Sequence, residues 1–133
     1  MSQTVLIVDD SRLARATIRK YLVAAGFAIA GEAGNGREAL EMFDQLSPNL
    51  VTLDITMPEI DGLTAFREIR KRDPNAAVLL VTSLDQKFIA EEVENDPHGA
   101  FLPKPFSSYD LLKAVRALLQ LEPSDTSVEA AGE

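Results

Sequence analysis

The chain has 133 residues, 46% of them hydrophobic and 26% charged, which is enough for one domain with an apolar core of its own. Its formal net charge of −8 argues against direct nucleic-acid binding, which needs a basic face, and the lack of cysteine excludes disulfides, thiolate chemistry and Cys-based zinc sites. No apolar run approaches the roughly 18 residues of a membrane span, and the opening MSQTVLIVDD lacks a basic stretch followed by a secretory apolar segment, so a cytoplasmic protein without membrane insertion is expected.

The first apolar run, TVLIVDD (4–10), leads into a helix-period segment, SRLARATIRKYLVAA (11–25). Ala14, Ile18, Tyr21, Leu22 and Ala25 share one stripe of it, and Gly26 is its stop. FAIAGEA (27–33) reads as a second strand. Asn35-Gly36-Arg37-Glu38 resembles a capping box opening a second helix, with Ala39, Leu40, Phe43 and Leu46 inward and Ser47-Pro48 at its end. NLVTLD (49–54) is a third strand. Asp61 caps a third helix with Leu63, Phe66 and Ile69 inward, closed by Asp73-Pro74. AAVLLVTS (76–83) is a fourth strand, and Asp85 caps a shorter helix through Phe88, Ile89 and Val93. In the fifth strand, AFLPK (100–104), Pro103 cannot donate to a central ladder, so the strand belongs at a sheet edge. Ser107-Ser108-Tyr109-Asp110 has capping-box form before Leu111, Leu112, Val115, Leu118 and Leu119. From Glu122 onward the tail carries four acids and no Lys or Arg, which sets a folded domain at 1–121 and a disordered acidic end at 122–133.

Strands one, three and four are near-continuously apolar, as in a parallel sheet covered on both faces. Five βα units in this length predict a flavodoxin-like α/β fold: a doubly wound five-stranded parallel sheet, order 2-1-3-4-5, with five helices. Ligands of such sheets bind beyond the carboxyl ends of the strands, near the switch point between strands one and three. Asp9, Asp10, Asp54, Thr82, Ser83 and Lys104 all fall at that edge. Three carboxylates brought together there would repel one another strongly, so the cluster calls for a cation. An open, oxygen-only ligand set suits Mg²⁺ better than a Ca²⁺ cage. A carboxylate beside Mg²⁺ and a lysine is placed to attack phosphorus, with the Thr82 hydroxyl available to a phosphoryl oxygen. The chemistry indicated is that of a phosphoryl acceptor.

Taken together, the Asp9-Asp10 pair, Asp54 followed by MPEIDG, Thr82, and Lys104-Pro105-Phe106 resemble the receiver domain of two-component response regulators, in its single-domain, chemotaxis-regulator-like form. The resemblance covers residues 4 to about 120 and implies a phosphoacceptor that assists its own phosphorylation and dephosphorylation without being an enzyme in the usual sense. Asp54 would be the phosphorylated residue. Asp10 would ligate Mg²⁺ directly, Asp9 partly through water, and the backbone carbonyl of Thr56 would complete the protein ligands. Thr82 would be the switch hydroxyl, Phe101 the switch aromatic, and Lys104 the phosphate-pairing ammonium, before a peptide bond to Pro105 that is typically cis. Met57-Pro58 and Gly62 would shape the loop after Asp54. A sensor histidine kinase or a histidine phosphotransfer protein would dock on the first helix, where Arg12, Arg15 and Arg19 lie. A downstream protein would read the face made by the fourth helix, fifth strand and fifth helix. The state would be a monomer or a phosphorylation-dependent dimer.

Some positions depart from the family pattern. Phe101 has no hydroxyl to offer a partner, Ser83 replaces the usual Ala or Gly and narrows access for small phosphodonors, and Pro97-His98 stands where Gly-Ala is usual. The side chains of Thr56 and Leu84, with Ser83, are the expected tuners of phosphoryl lifetime. His98, the one histidine, reads as a loop residue, GEAGNG (31–36) as a turn, and Arg67, Arg70, Lys71 and Arg72 as a solvated cationic face. Glu91, Glu92, Glu94 and Asp96 make the fourth helix acidic. Two alternatives stand: the receiver part of a larger transcriptional regulator whose output domain is absent here, and an aspartate-nucleophile phosphohydrolase. Thr56 occupies the place where the hydrolase needs its acid/base aspartate. A flavin module of the same topology would need a phosphate-cradling Ser/Thr-rich loop where Asp9-Asp10 stands.

Overall fold

A computed structural model of the chain describes residues 3–57, 61–83 and 86–121, with side chains 86–88 excepted. The expectations for Pro58, Leu84, the Asp85 cap, Phe88 and the tail 122–133 lie outside the described residues. The elements alternate as β1 (Thr4–Val8), α1 (Arg12–Ala24), β2 (Ala28–Ala33), α2 (Gly36–Leu46), β3 (Leu50–Leu53), α3 (Gly62–Arg72), β4 (Ala77–Thr82), α4 (Gln86–Val93), β5 (Gly99–Pro103) and α5 (Ser108–Leu119). The strands form one parallel sheet in the order β2-β1-β3-β4-β5, the flavodoxin-like arrangement, with Pro103 on an edge strand.

The apolar runs are continuous because both faces of the sheet are covered. Leu6, Val8, Val51, Leu53, Val78 and Leu80 pack under Phe43, Phe66, Ile69, Ile89 and Val93 of α2, α3 and α4. Their strand neighbours Val5, Ile7, Leu50, Leu79 and Val81 face Ile18, Leu22, Leu111 and Val115 of α1 and α5. Successive side chains of a strand point to opposite faces, so two cores leave the middles of β1, β3 and β4 apolar except for the fully buried Thr52.

The helix ends follow from local chemistry. Ser11 caps α1, its hydroxyl accepting from the Ala14 N–H at 3.1 Å, and the chain leaves α1 through Gly26 at φ +96°. Asp61 caps α3, and Ser107 with Asp110 makes a complete capping box on α5. Two expectations need correction. At α2, Asn35 accepts from the Glu38 N–H, but the Glu38 carboxylate reaches back to the Gly34 N–H, one residue beyond the cap. Leu46, expected inward, is exposed: it sits in the last turn, on the flank of the edge strand β2, and lies over Gly31.

Arg70 is a third correction, because it is not part of a solvated face. Its Nε donates to Asp96 Oδ2 at 2.9 Å, and its Nη1 donates to the carbonyls of Asp73, Pro74 and Ala76 at 3.1, 3.1 and 2.7 Å. Its guanidinium lies 5.4 Å from the centroid of the Phe66 ring. One side chain thus ties the end of α3 to the segment leading into β4 and to the turn before β5. Arg70→Ala is expected to lower stability by about 2 kcal/mol, and Arg70→Lys to recover little of it, since an ammonium cannot reproduce the planar fork. The urea midpoint followed by circular dichroism reads both. The Pro97-His98 departure leaves β5 in register: Asp96 accepts from the His98 N–H at 2.9 Å, and the His98 carbonyl accepts from the Val78 N–H at 2.9 Å.

Candidate phosphoryl-acceptor site

Sheet register builds the site. Val8 lies opposite both Ala33 of β2 and Leu53 of β3, so the next residues of β1 and β3, Asp9 and Asp54, emerge side by side. The Asp9 N–H donates to the Ala33 carbonyl at 3.0 Å, and the Asp54 N–H to the Val8 carbonyl at 2.9 Å, which continues the ladder to the carboxylates themselves. Asp9, Asp10 and Asp54 each offer an oxygen within 4.8 Å of the others. Asp9 and Asp54 are buried and Asp10 is exposed, so the cluster opens to solvent on one side.

β4 and β5 complete the edge. Thr82 pairs with Pro103, and the Lys104 N–H donates to the Thr82 carbonyl at 2.9 Å, which sets both residues at the carboxyl edge of the sheet. The Lys104 ammonium donates to Asp9 Oδ2 at 2.8 Å, while Asp9 Oδ1 accepts from the Ser11 N–H at 2.9 Å. The Lys104-Pro105 peptide is cis. Thr82 is fully buried, Ser83 exposed, and Phe101 partly buried against the α2–α4 side of the core.

Burial first, then the charge of Asp9, pushes the Asp54 carboxyl up to about 6; Lys104 and the Thr56 N–H pull against that, and Asp10 adds to it. The Thr56 N–H and hydroxyl stand 3.4 and 3.5 Å from Asp54 Oδ1, long for hydrogen bonds, and Thr56 itself is exposed. Three carboxylates with one ammonium bonded among them still carry a formal surplus of two negative charges. A hard, oxygen-seeking dication would relieve it, so the residues present fit Mg²⁺.

Two features of the site were not legible in the sequence. Arg15 and Arg19, expected on the docking side of the first helix, both pair with Glu32 of β2, at 3.1 and 2.7 Å. Beside them Leu13 is 78% exposed, at the rim of an apolar notch with Ala14, Ser83, Pro105 and Phe106. Of the acids expected on the fourth helix, Glu94 and Asp96 lie beyond its end at Val93, in the turn before β5; Glu92 pairs with Arg67 at 3.1 Å and Asp96 with Arg70. His98, partly buried beside β4, stands at the opposite end of the strands from the carboxylates.

A doubly wound sheet with two acids after β1, one after β3, a threonine ending β4 and a lysine after β5 defines a receiver. The family model for the response regulator receiver domain matches residues 5–116, and the chain belongs to that family. Among its relatives, the chemotaxis protein CheY of Thermotoga maritima is 40% identical over 115 residues, covering 86% of this chain and 96% of the relative. CheY of Bacillus subtilis is 38% identical over 119 residues, covering 90% and 99%. Among solved structures, a CheX–CheY–BeF₃–Mg²⁺ complex from Borrelia burgdorferi superposes with a TM-score of 0.82 at 32% identity, covering 87% of this chain and 88% of that one. The chain is therefore a CheY-like receiver of two-component signalling, with bacterial relatives. None of its described helices is long and apolar enough to cross a membrane.

Proposed function

We propose that the chain is a Mg²⁺-dependent phosphoacceptor switch in which Asp54 takes a phosphoryl group from a histidine kinase or a histidine phosphotransfer protein. One observation carries this reading: Asp9, Asp10 and Asp54 converge within 4.8 Å at the sheet's carboxyl edge, with Lys104 bonded to Asp9. Asp9, Asp10, Asp54 and the Thr56 carbonyl would hold Mg²⁺, which when bound supplies charge neutralisation to the carboxylates and to the entering phosphoryl oxygens. Asp54 then attacks phosphorus, exchanging a P–N bond for a P–O bond. Lys104 leaves Asp9 for a phosphoryl oxygen, and the Thr82 hydroxyl donates to another. Thr56 and Ser83, with Leu84 next to Ser83 in sequence, tune how long the phosphoryl group lasts.

The donor's face is α1 with the Lys104–Phe106 turn, where exposed Leu13 and the apolar notch adjoin the acceptor. Of the three arginines, Arg12 is the exposed one whose charge Glu32 does not neutralise, so steering falls mainly to it. The output face is α4–β5–α5. There Phe101 packs toward the core, and Tyr109, 52% exposed with Lys113 over its ring, is available to a protein partner. The proposed switch domain is residues 1–121, with the acidic segment 122–133 assigned no part in the switch.

Incubation with Mg²⁺ and acetyl phosphate is expected to add one hydroxylamine-labile phosphoryl group, read by intact mass and not formed when EDTA is present from the start. An adduct that persists in Asp54→Asn would sink the assignment.

A further inference from the structure

We infer that Arg15 is a positioning residue of the acidic site: oriented by Glu32, it braces the backbone carbonyl of Asp9 and holds the Asp9-Asp10 peptide in the plane that sends Asp10 toward Asp54. The inference rests on the acceptor reading above, and on contacts that place Arg15 behind the site, in addition to any role on a docking face.

Arg15 lies in the first turns of α1 with its side chain only 18% exposed. Its Nε donates to Glu32 Oε1 at 3.1 Å, and its Nη1 donates to the Asp9 carbonyl oxygen. Glu32 belongs to β2, and its second oxygen accepts from Arg19 at 2.7 Å, so the carboxylate that aims Arg15 is itself anchored. A Cβ on Gly34 would come within 3.5 Å of Nη1, so the guanidinium also rests on the turn leaving β2.

The Asp9 peptide is thereby held on both sides. Its N–H is in the ladder with Ala33, and its carbonyl is bonded to Arg15. That carbonyl shares a rigid plane with the Asp10 N–H, so fixing it fixes the direction in which Asp10 leaves β1. Asp10 is the exposed member of the three carboxylates and follows the last residue of the ladder. Groups that orient metal ligands in this way typically matter about tenfold or more in metal affinity.

The sign of the effect separates positioning from plain charge. A guanidinium one peptide away from the carboxylates repels a dication, so electrostatics alone makes Arg15→Met bind Mg²⁺ more tightly and leaves Arg15→Lys unchanged. Positioning makes both variants bind more weakly, because neither keeps a fork that spans Glu32 and the Asp9 carbonyl.

Calorimetric titration of the full chain with Mg²⁺ decides, with thermal melts in EDTA to confirm folding. The expected result is binding about tenfold weaker in both variants. Affinity in Arg15→Lys equal to wild type, or tighter binding by Arg15→Met, overturns the inference. If Arg15→Met does not fold, Arg15→Lys decides by the same criterion. A wild-type chain with no Mg²⁺ binding that Asp10→Asn removes overturns the acceptor reading and this inference with it. Wild-type binding with undiminished Arg15 variants overturns the inference alone.

Discussion

Asp54→Asn is expected to abolish the phosphoryl adduct and, in the same protein, to stabilise the Mg²⁺-free fold at neutral pH by about 2–3 kcal/mol. The first effect removes the nucleophile. The second follows from what holds the carboxylate in place: Asp54 is 3% exposed, and burial, with the charge of Asp9 behind it, raises its pKa from 3.8 to about 6. An acid whose folded pKa is raised contributes stability that is fully present below its unfolded value and is lost as pH rises through the folded value. The wild-type chain should therefore lose this stability between about pH 4 and 6, while asparagine, with no proton to lose, should not. Urea unfolding in EDTA, repeated from pH 4 to 8, should show the two proteins alike at the acid end and diverging to a plateau above about pH 6. Excess Mg²⁺ should then close the gap, because it binds the folded wild-type site and stabilises it by mass action. A gap that does not change with pH, or a less stable asparagine variant at pH 7, contradicts this account.

The same reasoning shows what could be read from residues alone. A parallel sheet covered on both faces writes itself as unbroken apolar runs, so β1, β3 and β4 were legible, and a strand ending in a carboxylate was visible as an anomaly at Asp54. The convergence of Asp9 with Asp54 followed once strands one and three were neighbours, since register in a parallel pair leaves no freedom to separate them. The charged side chains were less legible. Helical periodicity says only that Arg15, Arg19 and Arg70 avoid the apolar stripe. Whether they meet water or an anion depends on Glu32 and Asp96, which stand 13 to 26 residues away in sequence and on other elements. Leu13 was hidden for the converse reason: periodicity put it off the stripe without showing that it would stand exposed beside Pro105 and Phe106, across a sequence gap that only the tertiary fold closes. Local signals of capping and patterning reached element positions and the acid cluster, and long-range pairing decided the rest.

Gly62→Ala is expected to be the most damaging single-methyl change in the described structure, costing about 3–5 kcal/mol. A Cβ there would lie 2.1 Å from the backbone oxygen of Asp54 and 2.5 Å from the Cα of Ile55. Those are backbone atoms, so no rotamer relieves the collision; either α3 must withdraw or the end of β3 must move. Neither is free to do so. The Gly62 N–H donates to the Ile55 carbonyl at 2.9 Å, Asp61 caps the helix through the Thr64 N–H at 2.8 Å, and Leu63, Phe66 and Ile69 of α3 are seated in the core. Gly26→Ala offers the contrast. Its φ of +96° disfavours a side chain, but nothing lies within 4 Å of the added methyl, so that change should cost only about 1 kcal/mol and leave Mg²⁺ binding alone. Gly62→Ala should lower the urea midpoint several times further. In whatever fraction still folds, Mg²⁺ affinity should fall as well, because the atoms the methyl strikes belong to the acceptor itself. If instead the two variants unfold alike, or Gly62→Ala binds Mg²⁺ as wild type does, then the close approach of α3 to Asp54 is not what holds the acceptor in place.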